Sequence, residues 1–145
     1  MQKIVPFLWF DGKAEEAAKF YVSIFKNSKL LSATPMSVTF QLEGQQFYAL
    51  NGGPQYKFTP AISLFVNCET QQEVDDLWGK LSASKADEQC GWLKDKYGVS
   101  WQIIPTVLGK LMGDKNPKKA NAAVQAMLKM KKIDIKGLQQ AYDQG

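Results

Sequence analysis

The feature that most constrains the fold is an internal repeat, in which the second half of the chain follows the first in the same order of strand, turn and helix. Setting Ala61 under Ile4 aligns the halves at an offset of 57 residues through the first strand and the following helix. At the later hairpins Gly98 meets Gly44, an offset of 54, which requires only a small deletion. Two tandem β-α-β-β-β units predict an α+β fold whose mixed sheets curl around a shared cleft.

Apolar periodicity places the elements of each unit. The first strands are predicted at 4–10 and 61–67, which are short apolar runs. One helix is predicted from Ala14, where apolar residues recur at helical spacing, and another after Thr70, which begins a capping box with Glu73. Further strands are expected at 30–34, 37–42, 46–51, near Glu88, and on both sides of a turn at 96–98.

Beyond Pro105 the apolar spacing predicts short helices, which we expect to cover the sheet or to pack on a partner subunit. The whole chain is predicted to form one domain, 1–145. Its parts are a first module at 1–54, a second module at 55–107 and a C-terminal helical extension at 108–145.

Alternation along each first strand predicts which side chains face the helix. One alternating set is apolar in both strands: Val5, Phe7 and Trp9, and Ile62, Leu64 and Val66. We expect this set to lie beneath the helix. The other set is mixed in polarity and is predicted to line the cleft: Ile4, Pro6 and Leu8, and Ala61, Ser63, Phe65 and Asn67.

Composition favours a globular protein, since 45% of the 145 residues are hydrophobic. The net charge is +4, and much of the excess comes from lysines in the last thirty residues. These lysines lack interleaved aromatic residues and arginines, so they indicate a solvated helix face and no nucleic-acid partner. The N-terminal apolar run is too short for a membrane span and has no signal-peptide cleavage pattern, so we expect a cytoplasmic protein with no membrane partner.

Few residues are available for chemistry. The chain contains no histidine, which removes the commonest transition-metal ligand as well as Ser-His and Cys-His nucleophile pairs. Cys68 and Cys90 lie far apart without CxxC spacing, so we expect buried reduced thiols, with a reactive Cys90 as the alternative. Gly52-Gly53 is followed by Pro54, which suits a connector better than the Gly-rich turn of a nucleotide site. The catalytic residues of any reaction therefore stay unidentified.

Five segments carry a resemblance to a known family: FDGKAEEA at 10–17, FY at 20–21, FKNS at 25–28, ALNGG at 49–53 and QCGWLKDKYG at 89–98. They resemble the PhnB-like, 3-demethylubiquinone-9 3-methyltransferase-like branch of the glyoxalase/bleomycin resistance/extradiol dioxygenase (vicinal oxygen chelate) superfamily. The resemblance implies the tandem βαβββ fold and a homodimer. Relatives usually carry a Gly/Pro-rich loop between the second and third strands, whereas 32–36 runs almost straight through here.

Metal-dependent members of that superfamily hold a divalent ion with His, Glu or Gln at four pseudo-symmetric strand positions. Alignment of the strand and turn landmarks puts these positions at Ile4, Tyr48, Ala61 and Gln102. Only Gln102 is a plausible ligand, and one neutral amide does not hold a catalytic ion. We therefore expect no metal, no other cofactor, and neither glyoxalase nor ring-cleaving dioxygenase chemistry.

A cleft with aromatic walls and a few neutral polar groups suits a small, uncharged or weakly polar organic ligand. The predicted ligand-binding residues are Leu8, Tyr48, Ser63, Phe65, Asn67, Cys90, Trp92 and Gln102. Our first hypothesis is a metal-independent small-molecule-binding protein. The alternative is an enzyme of the same fold that acts on a small organic or quinone-like substrate, and a structural or regulatory role follows if side chains fill the cleft.

Overall fold

The computed structural model describes residues 2–145 and contains two compact units, one ending at Phe58 and the other spanning Thr59–Gly145. Each unit carries one mixed sheet with a helix packed on it, and the second unit adds three C-terminal helices. This is the α+β architecture that the repeat predicts. Among residues 2–145, no helix combines the length and the apolar character needed to cross a bilayer.

The first unit has a four-stranded sheet. Its elements are β1 (Phe7–Phe10), α1 (Ala14–Ile24), β2 (Lys29–Ala33), β3 (Ser37–Leu42) and β4 (Gln45–Asn51). The strand order is β1-β4-β3-β2, with β1 parallel to β4 and the other pairs antiparallel. Helix α1 buries Tyr21 against Phe40 of β3, with 6.3 Å between the ring centroids. The core of this unit therefore lies between α1 and one face of the sheet.

The second unit has a three-stranded sheet in the order β5-β7-β6, with β5 parallel and β6 antiparallel to β7. Its elements are β5 (Leu64–Cys68), α2 (Gln71–Leu81), a 3₁₀ turn (Lys85–Asp87), β6 (Trp92–Lys94), β7 (Ser100–Pro105), α3 (Thr106–Met112), α4 (Pro117–Leu128) and α5 (Ile135–Gln144). Helix α2 buries Val74, Leu77 and Trp78.

The strand expected near Glu88 does not form, so the prediction was wrong there. Ser84 instead caps the 3₁₀ turn by accepting a hydrogen bond from the Ala86 N–H at 3.3 Å. Ladder pairing in this segment is limited to one bridge between Gln89 and Trp92. The second sheet therefore has one strand fewer than the first.

The C-terminal helices pack on the end of β7 through a cluster of buried apolar residues. The cluster comprises Ile104, Leu108, Leu111, Ala123, Ile133 and Leu138. Gln71, at the start of α2, holds the segment before α5, because its amide donates to Ile133 O and accepts from the Ile135 N–H, at 2.9 and 2.8 Å. These helices are thus an integral part of the second unit.

The prediction of strand faces was correct within β5 of the second unit and wrong for β1 of the first, while Ile62, which was expected beneath the helix, precedes β5 and is 69% exposed. In β5, Leu64 and Val66 are half-buried while Phe65 is 52% exposed, as expected. In β1, however, Leu8 is only 9% exposed and Phe7 is 59% exposed. The alignment of the two strands was off by one residue, and a shift of one residue moves every strand side chain to the opposite face.

Both first strands also begin later than predicted. They start at Phe7 and Leu64, so Ile4 and Ala61 precede the sheets and are exposed. In the first unit the hydrogen bonds between β1 and β4 begin at Pro6, whose carbonyl accepts from the Tyr48 N–H at 2.9 Å. The paired residues of the two strands therefore begin at Phe7.

Candidate ligand-binding site

The open face of the second sheet, which faces away from α2, carries a row of three side chains across its strands. The register places Phe65 beside Gln102 and Gln102 beside Trp92. The Gln102 amide donates from Nε2 to Ser63 Oγ at 3.0 Å, which fixes its orientation on the sheet. An amide is thus held between two aromatic side chains.

A pocket of about 360 Å³ adjoins this row at the β6 side of the sheet. It is lined by Pro60, Asp87, Gln89, Cys90, Trp92, Leu93, Lys94 and Ser100. Because β6 and β7 are antiparallel and Lys94 lies opposite Ser100, the Trp92, Lys94 and Ser100 side chains share the face that carries Gln102. The pocket and the aromatic row therefore belong to one continuous surface.

Two of the pocket residues flank Glu88, one at the end of the 3₁₀ turn and one in the segment that leads to β6. Asp87 and Gln89 line the pocket, whereas Glu88 between them accepts hydrogen bonds from Trp78 Nε1 at 2.9 Å and Ser82 Oγ at 2.6 Å. Glu88 therefore ties this segment to α2. Its neighbour Asp87 forms an ion pair with Lys94 at 3.8 Å across the pocket rim.

Cys90 lines the pocket from a backbone corner that the C-terminal segment holds. Cys90 and Gly91 both adopt positive φ, 38° and 88°, which suits glycine at the second position. Their N–H groups donate to Met130 O and Lys131 O at 2.7 and 2.8 Å. The corner is thus fixed by main-chain hydrogen bonds from far along the chain.

Asp95 is a structural residue of the β6–β7 hairpin. It is buried, and its carboxylate accepts hydrogen bonds from the Tyr97 and Val99 N–H groups at 2.8 and 3.0 Å and from Trp101 Nε1 at 2.8 Å. With three donors converging on it, the carboxylate orders the turn and is not presented to the pocket.

Comparison with known proteins now identifies the family. The family model described as 3-demethylubiquinone-9 3-methyltransferase matches residues 2–104, which is most of the chain. The chain belongs to this family. The match ends near the close of β7, so the Met130–Lys131 segment that holds the pocket corner lies outside the matched region of the family.

Solved structures agree with this assignment. A putative 3-demethylubiquinone-9 3-methyltransferase, a PhnB protein from Bacillus cereus, is 39% identical, with a TM-score of 0.62 over 72% of this chain and 100% of that chain. Protein PA1353 from Pseudomonas aeruginosa is 19% identical, with a TM-score of 0.55 over 72% of this chain and 98% of its own. A possible glyoxalase from Bacillus cereus is 9% identical, with a TM-score of 0.50 over 71% and 99%. The last two share the fold alone, and no curated protein matches the chain.

The predicted PhnB-like branch and the glyoxalase/bleomycin resistance-like fold are thus confirmed. Six of the eight residues predicted to bind a ligand lie in the second unit of this family member. Cys90 and Trp92 line the pocket, and Phe65 and Gln102 form the aromatic row with Ser63 bonded to it. Asn67 is exposed further along β5, opposite Ile104.

The other two predicted residues lie in the first unit, on opposite faces of its sheet. Tyr48 pairs with Phe7 on the face away from α1, with 5.9 Å between the ring centroids. Leu8 pairs with the fully buried Ala49 and faces the core. Its predicted position on the same face as Tyr48 was wrong, for the same one-residue reason as the rest of β1.

Sequence analysis missed Ser100, Lys94, Asp87 and Gln89 as pocket residues. The alternation along β7 already groups Ser100 with Gln102, and the hairpin register then groups Lys94 with Ser100. That signal was present in the sequence. Asp87 and Gln89 had none, because a strand was expected where the 3₁₀ turn forms.

The residues predicted at the metal positions do not form a set of ligands within either unit. Ile4 and Ala61 precede the sheets, so they do not lie opposite Tyr48 and Gln102 as the alignment predicted. The strand residues opposite Tyr48 and Gln102 are instead Phe7 and Phe65. Phenyl rings have no lone pairs to donate, so the Gln102 carbonyl oxygen has no second ligand on the paired strand. Among residues 2–145, no three or more His, Cys, Asp or Glu side chains are grouped to hold an ion.

The only glycine pair in the chain serves a packing role in the first unit. The Trp9 ring lies so close to Gly52 that a Cβ there would come within 2.3 Å of it, and Trp9 Nε1 donates to Gly53 O at 2.9 Å. Tyr56 packs edge-on against the same ring. The Gly52-Gly53 segment is therefore a connector built around Trp9.

Proposed function

We propose that the protein binds a small, flat, uncharged or weakly polar organic molecule in the pocket of its second unit, without a metal ion. The observation that carries this proposal is the pocket of about 360 Å³ beside Trp92, on the same face as the Gln102 amide. This volume lies within the range of small-ligand pockets, roughly 300–1,000 Å³. A half-buried indole offers a flat apolar surface against which a ring can stack.

The charges at the pocket rim support a ligand without strong net charge. Lys94 and Asp87 are the charged residues that line the pocket, and they oppose each other at 3.8 Å. Because each offsets the field of the other, the pocket offers a ligand no large excess of either sign. Neutral groups, Gln89, Cys90 and Ser100, provide the remaining polar lining.

Ligand titration of paired variants tests the proposal. We use 1-naphthol as the first probe, because it is a flat bicyclic ring of a size that suits the pocket. Trp92→Ala is expected to weaken binding about tenfold through lost ring contact. Tyr56→Ala removes an exposed aromatic side chain that does not line the pocket and is expected to leave affinity unchanged. Failure of 1-naphthol and related flat rings to bind, or equal affinity in Trp92→Ala, would overturn the proposal.

Metal independence is supported by the donor chemistry in each unit, because the side chain opposite Tyr48 is Phe7 and the one opposite Gln102 is Phe65, and a phenyl ring cannot bind an ion. Protein purified without chelator is expected to contain no stoichiometric Zn, Ni, Mn or Fe by elemental analysis. Addition of EDTA is expected to leave 1-naphthol affinity unchanged. Stoichiometric metal that EDTA removes together with binding would contradict this part of the proposal.

The second candidate is an enzyme of the same fold acting on a small organic or quinone-like substrate. It is favoured by the name of the family and of the Bacillus cereus relative, 3-demethylubiquinone-9 3-methyltransferase, which describes a methyl transfer. Against it stands Gly52-Gly53, which packs around Trp9 and so does not form a Gly-rich turn that could receive a nucleoside cofactor. Incubation with S-adenosylmethionine and a hydroquinone separates the two, since methylated product by mass spectrometry would favour the enzyme.

The assembly and compartment follow as proposals of the same kind. We propose a homodimer, because apolar side chains such as Phe7, Ile62 and Phe65 stay more than half exposed and subunit pairing would cover them. Both cysteines are free, which suits a reducing compartment such as the cytoplasm. Light scattering on the purified protein tests the dimer, and a mass near the 16.2 kDa of one chain would contradict it.

A further inference from the structure

Ser100 is a buried hydroxyl whose hydrogen bonding is not met within the protein. The residue is only 3% exposed and lines the pocket. Its side chain makes no hydrogen bond to any other residue in the described range 2–145. No described side-chain oxygen is fully sealed from solvent without a partner, so Ser100 Oγ is reachable from the pocket.

Two neighbouring polar side chains on this face already have partners within the chain. Ser63 Oγ accepts from the Gln102 amide, and Lys94 is paired with Asp87. Ser100 lies opposite Lys94 on the neighbouring strand and two residues from Gln102 along its own. The pocket therefore has a buried hydroxyl that lacks a partner within the described residues.

We propose that Ser100 is a specificity-determining residue that hydrogen-bonds an oxygen substituent, a hydroxyl or a carbonyl, on the flat ring of the ligand. This inference rests on the proposed function, since it assumes that the pocket receives a ring. An aryl oxygen can exchange a hydrogen bond with Ser100 Oγ while the ring contacts Trp92. A ring without such an oxygen buries the hydroxyl without a partner, which disfavours that ligand by about tenfold or more.

The test compares 1-naphthol with 1-fluoronaphthalene, which is similar in shape but accepts hydrogen bonds poorly. The wild-type chain is expected to prefer 1-naphthol by about tenfold, measured by calorimetry and by fluorine NMR. Ser100→Ala is expected to abolish the preference by weakening 1-naphthol alone. Ser100→Thr keeps the hydroxyl on a strand residue and is expected to retain the preference.

Ser23→Ala is the matched control, because its exposed hydroxyl bonds Phe20 O on α1 and does not line the pocket. This variant is expected to keep the wild-type preference. Ser100→Ala is expected to fold normally, because the lost hydroxyl has no partner within the described residues, and circular dichroism and the melting temperature verify this.

The outcomes separate this inference from the proposed function. Equal affinity of the wild-type chain for the two rings, or a preference that persists in Ser100→Ala, overturns the role of Ser100 while ring binding stands. Failure of both rings to bind overturns the proposed function and this inference together. Loss of preference in Ser100→Ala, with its retention in Ser100→Thr and Ser23→Ala, supports both.

Discussion

The two units share one order of elements but differ by one residue in the connection between their first strand and helix. Three residues, Asp11–Lys13, join β1 to α1, whereas two residues, Glu69 and Thr70, join β5 to α2. The helices therefore match at an offset of 57, but the strands match at 58, which sets Phe7 over Phe65. Strand side chains alternate, so this single residue decides which set faces the helix. In this chain each strand or helix of one unit matches its counterpart in the other, but the offset changes at the connections, so each element has to be aligned separately.

The difference in connection length extends to how each helix begins. Lys13 makes no side-chain cap for α1, and Asn51 of β4 instead accepts from the Ala14 N–H at 2.9 Å. Thr70 caps α2 directly by accepting from the Glu73 N–H at 3.2 Å. The first unit thus obtains its cap from the sheet, while the second carries it in the connection.

The two units also differ in what holds the turn of their hairpins. In the first unit the β3–β4 turn uses Glu43 and Gly44 at positive φ, 49° and 83°, as a tight two-residue connection. In the second unit the β6–β7 turn depends on the buried Asp95 carboxylate. Both turns have a glycine at positive φ, Gly44 and Gly98, but only the second is also held by a buried side chain.

The largest expected effect tests this contrast between the turns. Asp95→Ala leaves the Tyr97 and Val99 N–H groups and the Trp101 indole without their acceptor, and it is expected to lower the free energy of unfolding by about 4 kcal/mol. Glu43→Ala in the other turn loses no such network and is expected to change the free energy of unfolding by about 0.5 kcal/mol or less, because glutamate and alanine bear a similar cost of positive φ at this exposed position. Urea denaturation measures both. Equal losses would show that the two hairpins are held in the same way.

The next effect tests the reversed faces of β1. Leu8→Ala is expected to lower the free energy of unfolding by about 3 kcal/mol, because it empties space in the core. Phe7→Ala, at a 59% exposed position, is expected to cost about 1 kcal/mol or less. The alignment at an offset of 57 predicts the opposite ranking, so denaturant midpoints of the two variants decide between them.

Sequence patterns predicted the fold because periodicity and turn residues are local signals. They failed for β1 because the offset of 57, correct for the helices, does not hold across a connection that is one residue longer. The role of Met130 and Lys131 at the pocket corner had no signal at all, because both act through backbone carbonyls on residues forty positions away.

The candidate site was predictable in part for a related reason. Trp92 and Gln102 were found because aromatic and amide side chains stand out on a strand. Ser100 belongs to the same alternating set as Gln102, but alternation gives the face of a residue and not its depth. Its burial depends on what surrounds it in three dimensions, which one strand does not encode.

Removing the helix caps is expected to lower the free energy of unfolding by a smaller amount, and it compares the start of α1 directly with the start of α2. Asn51→Ala removes both the acceptor for the Ala14 N–H and the donor to Pro35 O, and it is expected to cost about 2 kcal/mol. Thr70→Ala removes one capping bond and is expected to cost about 1 kcal/mol. Thermal unfolding of both variants measures the difference. A Thr70→Ala loss larger than that of Asn51→Ala would contradict the view that the sheet supplies the cap in the first unit.

The smallest expected effect is a pH dependence of the free energy of unfolding. It arises at the last residue of the two aligned strands, which is Cys68 in β5 and Phe10 in β1. Burial, with a further contribution from the nearby Glu73 carboxylate, raises the pKa of the Cys68 thiol from 9.0 to about 12. Above pH 9 the unfolded chain therefore loses this proton while the folded chain keeps it, so the free energy of unfolding falls as pH rises from about 9 towards 12. Between pH 9 and 10 this lowers stability by about 1 kcal/mol, which Cys68→Ala abolishes. Urea titrations at the two pH values measure the difference, and parallel losses in the wild-type and variant chains would show that Cys68 is as accessible to base when folded as when unfolded.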